Sequence, residues 1–370
     1  MEKILLYIVS IFFVVGAIDY FEGNRLKLGS VFEEGIKTMG PLVISMIGIL
    51  SITPLVAKFL SEILSPISKA LGLDPSVFPA SFIAVDMGAY NISLGIANTE
   101  NFAVFSGIII ASILGCTLSF TLPLALGLVK EEYMSSLTKG ILCGIITIPV
   151  ALFIGGLLLD ITIGALLINI LPIILLAILL SLGIVFKPKL TLIIFKYIGR
   201  LIVFASTIGL IVQGIFSISG IEILSSVMPL KEALYIVGKI AIFLGGAYVM
   251  LECVQKLLKK QLSFIGKKIG INNESVAALI GSLASAIIVF SNFEKLDEKG
   301  RIICSAFSVS GAYVLGGQLG FVASVEGDMI SVYLITKIIA GVLSIILALY
   351  IINIEEKKKN NFNKLITEGE

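Results

Sequence analysis

Apolar runs about the length of a bilayer crossing follow one another along the whole chain, at roughly 4–21, 39–60, 78–98, 102–128, 138–160, 162–186, 197–217, 232–252, 274–292, 301–325 and 329–353. A helix needs roughly 20 apolar residues to span the hydrocarbon core, so each run predicts one membrane helix. The alternating ten-residue pattern of a transmembrane barrel does not occur. The fold class expected is all-α: a polytopic transmembrane helical bundle of about 10–12 spans, with broken helices and an internal repeat. The region 1–354 reads as one transmembrane domain and 355–370 as a polar, charged tail, disordered and cytoplasmic. Two amphipathic basic segments, 60–78 and 253–273, read as lying along the membrane surface.

Composition agrees with this pattern. Mean hydropathy is +1.08, and 14% of residues are charged, against roughly 25% in soluble domains. The first run lacks a small-x-small cleavage motif and is taken as a retained span. The chain has no histidine, which removes the usual proton shuttle and commonest metal ligand. No basic patch suggests nucleic acid, and no phosphate-binding G-x-x-x-x-G-K-[ST] loop is present. The four cysteines (Cys116, Cys143, Cys253, Cys304) lie in or beside apolar runs with no Cys-x-x-Cys spacing, as reduced packing residues do. An enzyme, a metal site and a bound cofactor are therefore not expected.

Lysine and arginine cluster at 58–69, 130–139, 187–200 and 256–268. Simple alternation of spans puts all four clusters on one side, which the positive-inside rule assigns to the cytoplasm. The same count puts the lysine-bearing tail outside. That conflict predicts a segment in the C-terminal half that is re-entrant, broken or miscounted. An offset of 198 residues pairs Thr138-Lys139 with Thr336-Lys337, Lys69 with Lys267 and Gly72 with Gly270. The halves of this repeat are about 39–160 and 232–353, joined by the spans in 162–217. Whether it is parallel or inverted follows from span parity, which the charge conflict leaves open.

One ionisable group stands in the middle of an apolar run. Asp86 is the sole charge between Asp74 and Glu100, and a carboxylate at that depth costs about 2.5–3.5 kcal/mol on insertion scales. On a continuous helix Phe82, Asp86, Tyr90 and Ser93 would form one stripe, with Gly88 permitting close approach and Asn91 offering an amide. A carboxylate beside an aromatic face suits a small ammonium ion. The competing reading pairs Asp86 with an intramembrane lysine, Lys337 or Lys239, to lock the bundle. Polar residues gather again at 112–123 and at 308–320, where Pro123 in the first and Gly316, Gly317 and Gln318 in the second predict helix breaks that could gate the path. Glu33 and Glu34 are either a solvated pair or an attractive mouth for cations.

Read together, FFVVGAIDYF (12–21), FEEGIKTMG (32–40), DPSVFPASFIAVDMGAY (74–90), LPLALGLV (122–129), GIITIPVALFIGG (144–156) and LGGQLGF (315–321) resemble the ethanolamine permease family of ethanolamine-utilisation operons. The resemblance extends to about residue 350. It implies a permease of the bacterial cytoplasmic (inner) membrane, importing ethanolamine for degradation inside the cell. Asp86, Met87 and Gly88 match the family's Asp-Met-Gly, and Glu33, Glu34 and Gly35 its Glu-Glu-Gly. Tyr90 stands in place of a phenylalanine. Gly317-Gln318 replaces an Asp-His pair and Ser285-Ala286 an Asn-Asn pair.

The resulting expectation is a permease or facilitator for ethanolamine in a lipid bilayer. Asp86 would neutralise the ammonium, Tyr90 offer its ring, and Asn91 or Ser93 bond the hydroxyl. Gln318 and the glycine break at 316–317 would complete the pocket. A carrier of another small solute, coupled to protons or sodium, is the alternative; a non-transporting membrane sensor or assembly protein is the reading from another class.

Overall fold

The computed structural model describes residues 2–225 and 227–367, apart from the side chains of 2, 188, 192, 195, 259, 262, 265 and 359–367. The described residues are 85% helical and contain no strand. In chain order the helices are α1 (Glu2–Phe21), α2 (Gly29–Lys37), α3 (Gly48–Leu71), α4 (Val77–Phe82), α5 (Ala89–Ile96), α6 (Glu100–Leu128), α7 (Met134–Leu157) and α8 (Ile163–Phe186). They continue with α9 (Pro188–Ser219), α10 (Leu230–Ile269), α11 (Asn273–Gly281), α12 (Ile287–Ser291), α13 (Glu298–Ser310), α14 (Gly317–Val325) and α15 (Ile330–Thr367). Among the described residues eight segments are long and apolar enough to cross a membrane, and they coincide with eight of the eleven apolar runs. The other three runs, 78–98, 274–292 and 301–325, are pairs of short helices with a break between them.

Two of those breaks belong to hairpins. Asp74, buried to 3% exposure, accepts from the backbone N–H of Asn98 at 2.9 Å and of Ser76 at 3.0 Å. The carboxylate thus ties the entry of α4 to the exit of α5, so the apolar run returns to the end it started from. Asp297 closes the second hairpin in mirror fashion. It accepts from the N–H of Asn272 at 2.9 Å and from Ser275 Oγ at 2.7 Å, bracketing α11 and α12. In the first hairpin the carboxylate stands at the start, in the second at the finish.

These contacts define two ends of the molecule. Asn169, at the start of α8, bonds the backbone of Asp74 at 2.7 Å, whereas Lys130 pairs with Glu294 beside Asp297 at 2.6 Å. Helix α6 therefore runs from the Asp74 end to the Asp297 end, and α7 returns. Lys139 pairs with Glu355 at 2.7 Å and Lys299 with Glu356 at 2.8 Å, so α15 runs antiparallel to α7 and its charged extension lies at the Asp297 end. The sequence of long helix, hairpin, crossing and long helix thus occurs twice, in opposite directions.

This geometry corrects the expected sidedness. Lys58 and Lys69 lie on α3, which leads into Asp74, so the 58–69 cluster does not share an end with the 130–139 cluster. The hairpins turn back instead of crossing, and alternation counted them as spans. The tail conflict disappears for the same reason. The amphipathic segments are also not surface-lying: 60–71 continues α3 and 253–269 continues α10. Each helix stops only at a glycine in the left-handed region, Gly72 (φ +69°) and Gly270 (φ +82°), the usual C-terminal stop. The tail to Thr367 extends α15 rather than being disordered, since 342–367 holds neither Gly nor Pro to end it. The last three residues of the tail lie outside the described ones.

The core forms around α6, α7, α13 and α15. Gly140 and Gly144 bring α7 against α13, where an added Cβ would fall 2.4 Å from the Ile302 carbonyl oxygen and 2.5 Å from Val309. Small residues at such crossings let backbones meet without a hydrophobic driving force from water. Helix α6 is almost wholly buried and winds as a π-helix over Phe105–Gly115 and Thr117–Thr121, and its Thr117 hydroxyl donates to the Val309 carbonyl at 2.6 Å. Pro123 follows this stretch at the first turn of Leu122–Leu128; its missing N–H removes one ladder bond where the helix changes winding. By contrast α8 and α9 expose Leu167, Leu171, Leu175, Leu201 and Phe204 outward, as a lipid-facing surface does.

Candidate functional site

Asp86 lies in the turn of the first hairpin, not on a helical stripe. Ile83 and Ala84 are extended (ψ 132° and 154°), Val85–Met87 form one 3-10 turn, and Gly88 takes φ +92° before α5 begins. A side-chain-bearing residue is strained at that φ, and an added Cβ would sit 3.2 Å from Thr53 Oγ1. The positive φ is therefore what reverses the chain and presents Asp86 at the tip. As a residue Asp86 is half-buried, and its carboxylate lies close enough to the Lys337 ammonium for the two charges to interact. Among the described residues, no ion pair within 4.0 Å includes it.

The remaining candidates divide between faces of α5. Asn91 lines an open cleft of about 840 Å³ between α3 and α5, together with Thr53, Lys58, Ser61, Glu62 and Ser65. The inner end of this cleft is Thr53, which packs over Gly88, so the cleft reaches the hairpin turn. Tyr90 faces the other way. Its hydroxyl donates to Glu326 Oε2 at 2.6 Å, and its ring meets Phe321 edge-on at 6.2 Å. Ser93 is wholly buried against Gly107 with no hydrogen-bond partner for its hydroxyl. Asn91 and Ser93 thus do not converge on one pocket.

Lys337 and Gln318 do converge. Lys337, 2% exposed, donates to Gln318 Oε1 at 2.6 Å and to the Ser112 carbonyl at 2.9 Å. The break that frees Gln318 is built by Gly316, where a Cβ would lie 2.1 Å from the Ala284 carbonyl oxygen, while Gly317 faces open space. Backbone bonds from Tyr313 N–H to Ser282 O (3.0 Å) and Leu315 N–H to Leu283 O (2.8 Å) join this break to the turn of the second hairpin. Lys239 donates to the Ser324 carbonyl at 3.0 Å and makes no ion pair with Asp86 within 4.0 Å.

Glu33 and Glu34 also part company. Glu33 pairs with Lys37 at 2.8 Å on the surface of α2. Glu34 lines a cleft of about 340 Å³ with Tyr248, Glu252, Ala284 and Ser285. That cleft reaches the turn of the second hairpin, as the larger one reaches the turn of the first. Each hairpin is therefore flanked by its own cleft, against α3 in one half and α10 in the other.

The arrangement is two re-entrant hairpins inside a bundle of membrane-length helices, each with polar breaks at its tip. The family described as "Ethanolamine utilisation protein, EutH" matches residues 1–351. The chain belongs to the EutH family. A Listeria monocytogenes protein named "Probable ethanolamine permease EutH" is 40% identical over 357 residues, covering 96% of each chain. One from Salmonella typhimurium bearing the same name is 30% identical and covers 95% of each. The Bacillus subtilis protein YxeR, described as uncharacterised, is 35% identical over 91% of each. No solved structure matches the chain. A permease family implies a transporter rather than an enzyme.

Placed in this EutH chain, the residues that reasoning from sequence missed are mostly partners. Glu326 reads as an ordinary acid at a span boundary, and nothing local signals that it meets Tyr90. Thr53 is one of many hydroxyls in apolar runs. Tyr333 acts by holding others, its hydroxyl donating to the Tyr313 carbonyl at 2.9 Å, and no local pattern marks it.

Proposed function

We propose that this EutH-family chain is a permease of the bacterial cytoplasmic membrane that imports ethanolamine as its protonated amino alcohol. The observation that carries this reading is the Asp86 carboxylate at the tip of a re-entrant hairpin, in no ion pair within 4.0 Å among the described residues. An ammonium cannot enter hydrocarbon without neutralisation, and Asp86 supplies the counter-charge at membrane depth. Thr53 and Asn91 lie along the approach to it, with oxygen and amide groups suited to the substrate hydroxyl. Tyr90 forms the far wall, and Gln318 with the Gly316 break faces it from the other half. The relatives named as probable ethanolamine permeases supply the identity of the amine.

The two opposed units read as an inverted duplication, with substrate near the midplane between them, as in other carriers built this way. One cleft opens along the first hairpin and the other along the second, so rocking of the units would expose Asp86 to each end in turn. Three of the four basic clusters gather at the Asp297 end, which we assign to the cytoplasm by the positive-inside rule.

Purified protein in liposomes with labelled ethanolamine tests this. Saturable uptake well above protein-free liposomes, competed by unlabelled ethanolamine, is expected. Uptake no faster than in protein-free liposomes would remove the reading.

A further inference from the structure

Among the described residues Lys337 is a fully buried cation whose contacts are oxygens and aromatic rings, with the Asp86 carboxylate acting on it from beyond ion-pair distance. Its Nζ is held by two oxygens, the Ser112 carbonyl and Gln318 Oε1. Two aromatic faces complete the enclosure, Tyr313 at 5.8 Å and Tyr333 at 5.5 Å from the ring centroids, within the range of cation–π attraction. The rings are themselves fixed. Tyr333 is anchored through its hydroxyl to the Tyr313 carbonyl, and Tyr313 is held at φ +64° in the 311–316 break. Among the described residues no carboxylate lies within 4.0 Å of Nζ.

Its repeat counterpart behaves differently. Lys139 lies 198 residues earlier (337 − 139), and it pairs with Glu355 at 2.7 Å while 32% exposed. One lysine of the pair therefore makes an ordinary surface ion pair, and the other is carried into the core. An ammonium with no carboxylate in direct contact is costly in a bilayer, so a cage of carbonyl, amide and two π faces joins the more distant Asp86 charge in compensating it. The same donor set would accept a small monovalent cation.

We propose that the Lys337 ammonium is a tethered cation filling a monovalent-cation site between the two halves, so that transport needs no sodium ion there. This rests on the permease reading above and concerns its energetics. A carrier with an exchangeable ion at this place must bind it in every cycle. Here the ion is covalently attached to α15, and the cage stays occupied whatever the ionic composition outside.

Uptake of labelled ethanolamine into proteoliposomes, with N-methyl-D-glucamine chloride on both sides, gives the direct test. Adding an inward sodium gradient should leave the wild-type rate within twofold; a rate that rises tenfold with the gradient would overturn the proposal. A wild-type protein that moves no ethanolamine in any medium would instead remove the permease reading. The second arm does not depend on transport. Lys337→Ala empties the cage, so methylammonium or sodium should raise its melting temperature in detergent by several degrees and leave wild type unshifted. A folded Lys337→Ala protein that responds to neither cation would also overturn the proposal. Should that variant not fold, the wild-type sodium arm still decides.

Discussion

Tyr90 donates to Glu326 across a 2.6 Å hydrogen bond between residues 236 positions apart. The bond links α5 of the first hairpin to the turn after α14 of the second half. With Phe321 edge-on to the Tyr90 ring, it closes the side of the hairpin opposite the open cleft. A bond to a charged acceptor is worth about 1.5–3 kcal/mol, so it acts as a latch between the units.

Tyr90→Phe keeps the ring and removes the latch. Backbone hydrogen–deuterium exchange over 88–96 and 320–330 should rise several-fold, with the rest of the protein unchanged. Equal exchange in mutant and wild type would show that the bond does not hold the units together.

Asp74→Asn tests the hairpin closure. Asp74 accepts from the N–H groups of Asn98 and Ser76 and from the Ser76 hydroxyl. An amide replaces one acceptor oxygen with a donor facing donors, which costs about 1–3 kcal/mol. The melting temperature in detergent should fall by several degrees. Asp297→Asn should do the same through Asn272 and Ser275, and two unshifted variants would contradict the closure.

The glycine break separates two neighbours that the sequence treats alike. Gly316→Ala drives a Cβ to 2.1 Å from the Ala284 carbonyl, while at Gly317 nothing lies within 4 Å. Overpacking of this kind costs about 1–3 kcal/mol or more. Gly316→Ala should therefore lower folded yield and melting temperature, and Gly317→Ala should leave both within error. The reverse order would contradict the packing of the second hairpin against the break.

How much of this was legible depends on the scale of the signal. The bilayer-length runs show the all-α membrane class directly, because hydropathy over twenty residues is a strong and local property. Asp86 stood out for the same reason: one charge in the middle of an apolar run is costly and visible in the sequence itself. What hydropathy could not reveal is whether a run crosses or turns back. That was decided by Asp74 bonding Asn98, a pair whose members look like ordinary loop residues, and by Gly88 adopting φ +92° rather than continuing a helix. The stripe of Phe82, Asp86, Tyr90 and Ser93 failed for that reason. Lys337 was noticed as a buried charge, but its cage assembles from α6, α14 and α15, which only the folded chain brings together.

The central claim is that Asp86 neutralises the substrate's ammonium. Asp86→Asn conserves the shape of the side chain while removing the charge. In proteoliposomes, the folded and monodisperse variant should lose ethanolamine uptake by at least a hundredfold, a change of about 2.7 kcal/mol or more in the transport barrier. Uptake by Asp86→Asn at the wild-type rate would contradict the account.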